Sequence, residues 1–205
     1  MYMLPKIILA AAIVISLIST VLLIHQDKKD TSSEKPIVFL GNSITAGQGA
    51  KAGEDFPTLI AKALNVPVIN SGVSGDTTSD ALQRIHNDVL DKNPSIVVVE
   101  LGGNDLLSSE NKATTIQNFE LILSKIKQTN AKIVVLGTKF IIFNKVYETD
   151  WASLAKKYDA IYVPDILDGI LTDPNLKFDD IHPNAKGYQK IADKLIPIIA
   201  PLILQ

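Results

Sequence analysis

Residues 96–105 read IVVVELGGND: branched apolar residues come first, and glycines and polar residues follow. Such a run predicts a strand that is buried on both faces, as in a parallel sheet covered by helices. Pro94 lies just before the run, where a missing backbone N–H disturbs a strand little. The carboxyl ends of parallel strands meet at one edge of the sheet, where ligands usually bind. We therefore expect the polar residues that follow the run to lie at a ligand-binding edge.

The same alternation continues through the rest of the chain from residue 37 onward. Short apolar runs alternate with amphipathic stretches, which is typical of βαβ units. We predict an α/β fold, a flavodoxin-like three-layer α/β/α sandwich with a five-stranded parallel sheet. The predicted strands are residues 37–40, 66–69, 96–101, 133–136 and 161–163. The predicted helices are residues 56–64, 78–89, 115–128, 147–157 and 185–199.

The composition excludes several classes of protein. The chain has 205 residues, a formal net charge of -2 and no cysteine. Because the charges are interspersed, no basic stripe is available for nucleic acid, and nucleic-acid binding is not expected. Disulfides and thiolate chemistry are excluded, and any metal site would depend on histidines and carboxylates.

The N-terminal region carries a separate signal, because residues 7–24 contain no charged residue. A run of this length can span a bilayer, and it is longer than the apolar core of most cleaved signal peptides. We predict that residues 1–25 are a membrane anchor or signal peptide, that residues 26–36 are a linker, and that residues 37–205 are the catalytic domain. The expected location is the cell envelope, with the N-terminal helix in the membrane and the domain outside the cytoplasm. The alternative is a secreted or periplasmic protein after cleavage.

Ser43 lies directly after the first predicted strand, in the segment LGNSITAG at residues 40–47. Gly41 permits a tight turn that lifts the serine hydroxyl out of the sheet edge. Ser43 is therefore a candidate nucleophile. A serine at a helix start is also a common N-cap, and this alternative stays open.

Two further loops follow predicted strands and carry possible hydrogen-bond donors. Gly75 lies in NSGVSGDT at residues 70–77, where a backbone N–H can donate to a developing oxyanion. Asn104 lies near the end of the segment at residues 96–105, and its amide is a second candidate donor. The alternatives are a glycine-rich turn that opens a helix and an Asx turn.

His182 lies in the segment DDIHP at residues 179–183, near the C-terminus. Asp179 precedes it by three positions, and this spacing allows the carboxylate to accept from one ring nitrogen while the other faces Ser43. A metal site formed by Asp179, Asp180 and His182 is the alternative. Apolar residues after the fourth predicted strand, Phe140 and Ile141 among them, are candidates for an acyl pocket or for the core.

Four ordered segments, residues 40–47, 70–77, 99–105 and 179–184, together resemble the SGNH hydrolase superfamily, also called GDSL-type esterases and lipases. The resemblance is nearest to the bacterial periplasmic branch of acyl-CoA thioesterases, lysophospholipases and arylesterases. It implies that Ser43 is the nucleophile, His182 the base and Asp179 the residue that orients the base. It also implies an oxyanion hole formed by the Ser43 and Gly75 N–H groups and the Asn104 side chain, with no metal and no organic cofactor.

One residue departs from the pattern of this superfamily. Asn42 occupies the position before the nucleophile, where the usual residue is Asp. We expect Asn42 to keep the hydrogen bonds of the turn while changing the local charge.

On this resemblance we expect a carboxylic ester hydrolase. It would be a serine esterase that cleaves small-molecule or lipid acyl esters or thioesters through an acyl-enzyme, as lysophospholipases and arylesterases do. One alternative is a carbohydrate O-deacetylase of the cell envelope that uses the same three residues. Another is a tethered binding module whose glycine loops hold an anion without turnover.

Overall fold

The structure is a computed structural model that describes residues 35–139 and 147–203. In this part of the chain one parallel sheet is formed by β1 (Ile37–Gly41), β2 (Val68–Gly72), β3 (Ile96–Glu100), β4 (Lys132–Leu136) and β5 (Ile161–Val163). The strands lie in the spatial order β2-β1-β3-β4-β5, which is the order of flavodoxin-like sheets. The prediction of a five-stranded parallel sheet is confirmed.

Helices follow each strand along the described chain. They are α1 (Ser43–Ala46), α2 (Phe56–Leu64), α3 (Thr78–Asp88), α4 (Gly103–Leu107), α5 (Lys112–Lys127), α6 (Glu148–Lys157) and α7 (Ala185–Ile203). A short 3₁₀ turn, Leu90–Lys92, follows α3.

Helices cover both faces of the sheet. On one face Phe39 of β1 packs in a core with Ile60 of α2 and Tyr188 of α7. On the other face Leu40 of β1 packs in a second core that includes Phe119 of α5 and residues of α3 and α6. Successive side chains of a strand point to opposite faces, so the central strands are apolar at nearly every position, and Glu100 at the end of β3 is an exception.

The second strand is shifted relative to its prediction. It was expected at residues 66–69, but β2 spans Val68–Gly72 because its pairing with β1 continues through the polar residues to Gly41 opposite Gly72. Gly72 is essential there, because an added Cβ would lie 2.7 Å from the carbonyl carbon of Thr45. The apolar pattern ends before the strand does, since backbone pairing does not need apolar side chains.

Two short helices, α1 and α4, were not predicted. Each begins within three residues of the end of a central strand, at Ser43 and at Gly103. Helices of four and five residues are too short to show a helical period in the sequence. Their effect is to turn the chain away from the sheet edge immediately after β1 and β3.

The predicted membrane anchor at residues 1–25 and most of the predicted linker lie outside the described residues. No helix in residues 35–139 or 147–203 combines the length and the apolar character needed to cross a membrane.

Candidate active site

Ser43 is the first residue of α1, directly after β1. The side-chain oxygen of Asn42 accepts a hydrogen bond of 2.9 Å from the Ile44 N–H, so Asn42 caps this helix. The alternative interpretation of Ser43 as the helix cap is therefore wrong. Its hydroxyl remains available for another partner.

Gly41 allows the turn before Ser43 to pack tightly against the neighbouring strand. A Cβ at this position would lie 2.6 Å from Thr45 Cβ and 2.8 Å from the carbonyl oxygen of Glu100. Both distances are shorter than real Cβ contacts, so any side chain would push α1 away from β3. Close packing at Gly41 therefore fixes the height of Ser43 above the sheet edge.

His182 is held in a loop by the carboxylate of Asp179. One oxygen of Asp179 accepts from the backbone N–H of Ile181 at 2.9 Å and from that of His182 at 2.8 Å. The backbone carbonyl of His182 in turn accepts from the N–H of Phe178 at 2.8 Å. This turn places the imidazole beside the carboxylate without a helix.

The loop brings three of the predicted residues together. His182 Nδ1 lies 2.8 Å from Asp179 Oδ2, and His182 Nε2 lies 2.9 Å from Ser43 Oγ. His182 and Ser43 are both buried, with 6% and 9% of their surfaces exposed. A carboxylate, an imidazole and a hydroxyl are thus linked in one hydrogen-bonded chain, which is the arrangement that activates a serine.

Asp179 is favoured in its ionised form. Burial alone raises the pKa of its carboxyl, but hydrogen bonds from the His182 ring and from the Ile181 and His182 N–H groups outweigh burial and hold the pKa below its usual value. A charged Asp179 accepts the Nδ1–H of His182 and leaves Nε2 as the nitrogen that can accept a proton from Ser43.

The two other predicted donors lie in neighbouring loops. Gly75 has a backbone φ of +92°, and an added Cβ would meet nothing within 4 Å. Conformation, not space, therefore requires glycine at this position. The Asn104 amide donates to the Asp76 carbonyl at 2.9 Å, which joins α4 to the turn after Gly75. Among the described residues neither Gly75 nor Asn104 is hydrogen-bonded to Ser43, His182 or Asp179, so their N–H groups do not take part in that chain.

Two buried acids at this edge were not predicted as site residues. Asp105 accepts from the Thr78 N–H at 3.0 Å and from the Thr78 hydroxyl at 2.5 Å, which joins α4 to the start of α3. Glu100 accepts from Asn42 and Thr45, each at 3.2 Å. An acid within an otherwise apolar strand was the signal available for Glu100, because such a residue must be hydrogen-bonded when buried.

The metal-site alternative is not supported by the geometry. The Asp180 carboxylate lies 2.9 Å from Lys177 Nζ and is largely exposed, away from the buried His182 ring. In residues 35–139 and 147–203, no group of three His, Cys, Asp or Glu side chains could hold a metal ion.

A cavity of about 600 Å³ borders the loop that carries His182. Its lining includes Ala50 after α1 and Phe178, which precedes Asp179 and is 65% exposed. The predicted acyl-pocket residues Phe140 and Ile141 lie outside the described residues.

The chain is similar in sequence to known enzymes. Residues 39–190 match the model of the GDSL-like Lipase/Acylhydrolase family. The chain is 29% identical over 175 residues to thioesterase 1/protease 1/lysophospholipase L1 of Escherichia coli K12, covering 82% of this chain and 84% of that protein. It is 29% identical over 190 residues to an arylesterase of Vibrio mimicus, covering 87% of this chain and 94% of that protein.

The fold is similar to those of solved esterase structures. The structure of TesA matches with a TM-score of 0.76 and 26% identity over 82% of this chain and 99% of that chain. The structure of AlinE4, an SGNH-hydrolase family esterase, matches with a TM-score of 0.65 and 34% identity over 83% of this chain and 97% of that chain.

Proposed function

The chain belongs to the GDSL-like lipase/acylhydrolase family and is a carboxylic ester hydrolase, and we propose that it cleaves acyl esters or thioesters through Ser43, His182 and Asp179. The observation that carries this proposal is the position of the His182 ring. It lies 2.9 Å from the Ser43 hydroxyl on one side and 2.8 Å from the Asp179 carboxylate on the other. The ring is buried and lies 139 positions from Ser43 in the chain, and it joins the hydroxyl to the carboxylate as a general base requires.

In the first half of the reaction Ser43 Oγ attacks the carbonyl carbon of the substrate while His182 Nε2 takes the hydroxyl proton. The carbonyl oxygen becomes an oxyanion, which accepts hydrogen bonds from the N–H groups of Ser43 and Gly75 and from the Asn104 amide. Asp179 stabilises the imidazolium and keeps its orientation. When the tetrahedral intermediate collapses, the imidazolium gives its proton to the departing alcohol or thiol.

In the second half a water molecule attacks the acyl-enzyme. His182 takes a proton from this water, and a second tetrahedral intermediate forms with its oxyanion in the same hole. Collapse releases the carboxylic acid and returns the proton to Ser43 Oγ. The enzyme is regenerated, and the whole cycle uses only side chains and backbone groups of this chain.

The substrate class rests on the names of the relatives and on the surface beside the site. The similar proteins are a thioesterase/lysophospholipase and an arylesterase, which favours acyl esters and thioesters with an apolar part. The exposed ring of Phe178 at the cavity is suited to contact such a part. Carbohydrate O-deacetylation is not favoured by any of these observations, and a binding module gives the hydrogen-bonded His182 no role.

The location outside the cytoplasm is also part of the proposal. It is supported by the uncharged run at residues 7–24, which suits a retained envelope anchor or a cleaved signal. Fractionation of cells that express the full chain, with N-terminal sequencing of the recovered protein, separates the two. A mature protein that keeps residue 1 in the membrane fraction supports the anchor.

The test of the function is hydrolysis of p-nitrophenyl esters from acetate to palmitate by the full-length chain and by Ser43→Ala. We expect Ser43→Ala to lose roughly 10⁴- to 10⁶-fold in kcat. A fluorophosphonate probe should label the parent protein and not the variant. Equal hydrolysis by both proteins would contradict the proposal.

A further inference from the structure

Arg84 lies in the middle of α3, and its guanidinium group contacts three oxygen atoms. Its Nε lies 2.6 Å from Asp76 Oδ2, its Nη1 lies 2.7 Å from Asp88 Oδ2, and its Nη2 donates to the Gly41 carbonyl at 3.1 Å. Only 19% of its side chain is exposed. Because a guanidinium is planar, always charged and rigid in the directions of its donors, these contacts hold their partners at fixed relative positions.

Two of these three partners belong to the loops of the active site. Gly41 ends β1 two residues before Ser43, and Asp76 directly follows Gly75. The Asp76 carbonyl also accepts the Asn104 amide at 2.9 Å. Arg84 therefore links the two loops that carry Ser43 and Gly75 directly, and the Asp76 carbonyl extends the connection to Asn104.

A purely stabilising role explains only part of this arrangement. The contact with Asp88 is an ion pair between successive turns of one helix and touches no active-site loop. The Gly41 carbonyl already accepts from the Val73 N–H at 3.0 Å, so it does not depend on Arg84 for a partner. The Val73 bond reaches only the start of the Gly75 loop; the guanidinium adds a second link, from the Gly41 carbonyl to Asp76 directly after Gly75.

We propose that Arg84 is a positioning residue that sets the distance between the oxyanion-hole donors. This inference rests on the proposed function. Oxyanion donors act only when they lie about 2.7–3.1 Å from the developing charge. A displacement of about 1 Å can lower a rate by about 100-fold. Loss of Arg84 should therefore affect the transition state more than substrate binding.

The experiment compares kcat and KM of the full-length protein with those of Arg84→Gln, Arg84→Lys and Asp88→Asn on a p-nitrophenyl ester. We expect Arg84→Gln to lower kcat about 10- to 100-fold and to change KM less than about twofold. Arg84→Lys keeps the charge near Asp76 but cannot reach all three oxygen atoms. Its kcat should therefore lie between that of the parent protein and that of Arg84→Gln. Asp88→Asn is the matched control, because it removes the charge of the one partner outside the site, and it should keep kcat within about twofold of the parent value.

A double-mutant cycle with Asn104→Ala separates positioning from general stabilisation. If Arg84 acts through the oxyanion hole, Arg84→Gln should cost much less in the Asn104→Ala background than in the parent, because one of the donors that it aligns is already absent. A loss of equal size in both backgrounds would overturn the inference. A parent-like kcat in Arg84→Gln would overturn it as well.

Far-UV circular dichroism and thermal unfolding check that each variant is folded. If Arg84→Gln does not fold, Arg84→Lys and Asp76→Asn carry the test, and parent-like kcat values in both would overturn the inference. Ser43→Ala distinguishes failure of the positioning role of Arg84 from failure of the proposed function. If activity depends on Ser43 and Asn104 but not on Arg84, the function stands and the positioning role is overturned; activity independent of Ser43 would overturn both.

Discussion

The side-chain amide of Asn42 donates a hydrogen bond of 3.2 Å to the carboxyl group of Glu100, beneath the turn that carries Ser43. The hydroxyl of Thr45 donates to the other oxygen of the same group, also at 3.2 Å. Glu100 ends β3 and is fully buried, so it ties α1 to the centre of the sheet. An ionised aspartate at position 42 would place a charge beside this buried group and could not donate to it, whereas the neutral Asn42 amide donates.

The first prediction concerns the dependence of stability on pH. Burial raises the pKa of Glu100 to about 8, against hydrogen bonds from Thr45 and Asn42 that lower it. Between the ordinary value of 4.5 and about 8, the folded chain keeps this proton while the unfolded chain releases it. The Glu100 contribution to the free energy of unfolding should therefore fall as the pH rises through this range, by up to about 1.4 kcal/mol per pH unit.

Glu100→Gln removes the titrating group and keeps an acceptor for Asn42. The hydroxyl group of Thr45, which contacts the other oxygen of Glu100, can rotate to accept from the new amide. In urea unfolding between pH 5 and 8, the free energy of unfolding of Glu100→Gln should fall less with pH than that of the parent. Exposed Glu110 provides the control, and Glu110→Gln should follow the parent. Parallel curves for the parent and Glu100→Gln would contradict the prediction.

The second prediction concerns the orientation of His182. In Asp179→Asn the side-chain oxygen can still accept from the Ile181 and His182 N–H groups, so the loop should keep its shape. The new amide would face His182 Nδ1 as a donor, which favours the tautomer that cannot accept the Ser43 proton. We expect kcat to fall about 10⁴-fold with little change in thermal stability. Asp180→Asn is the control, since Asp180 pairs with Lys177 instead, and a parent-like kcat in Asp179→Asn would refute the role of Asp179.

The third prediction concerns the backbone at Gly75. Its φ of +92° is strained for residues with a side chain, although space for a Cβ is available. We expect Gly75→Ala to lower the free energy of unfolding by about 1 kcal/mol and to lower kcat, because the N–H turns away from its place. Gly75→Asn should be milder in both respects, since Asn tolerates positive φ better. Equal effects of the two substitutions, measured by thermal unfolding and ester hydrolysis, would argue against a conformational cause.

The fourth prediction concerns the exposed ring of Phe178. Because it lines the cavity beside the His182 loop, Phe178→Ala should raise KM for long-chain esters more than for acetate. Stability should change little, since little of the ring is buried. Leu121→Ala is a matched control, because Leu121 is also an exposed apolar residue but lies on α5. If KM rose equally for every chain length, Phe178 would not contact the acyl part.

Much of this architecture could be predicted from residue patterns. Apolar runs gave β1, β3 and β4 within one or two residues, because strands buried on both faces need apolar side chains throughout. Ser43 and His182 were predicted as site residues because each lies in a distinctive local segment. The distance of 2.9 Å between Ser43 Oγ and His182 Nε2 depends on how β1 packs against the loop before α7, and no local pattern specifies this packing.

The network behind the site could not be predicted in the same way. Arg84 lies in an amphipathic helix, where an arginine usually faces solvent, and only the packing of α3 against the sheet edge brings it to Gly41. Asp105 and Thr78 are likewise joined across two loops. Such contacts depend on long-range packing, and single residues in the sequence carry no sign of it.

The nucleophile and the base of the proposed mechanism come from opposite ends of the described domain, with Ser43 after its first strand and His182 just before its last helix. Tyr188 of that helix reaches back to the Gln48 carbonyl at 2.7 Å, so α7 docks beside the Ser43 turn. During synthesis on the ribosome, Ser43 is made early but has no base until the final segment has emerged and docked. On the proposed mechanism, a chain that ends before residue 182 should therefore not hydrolyse esters.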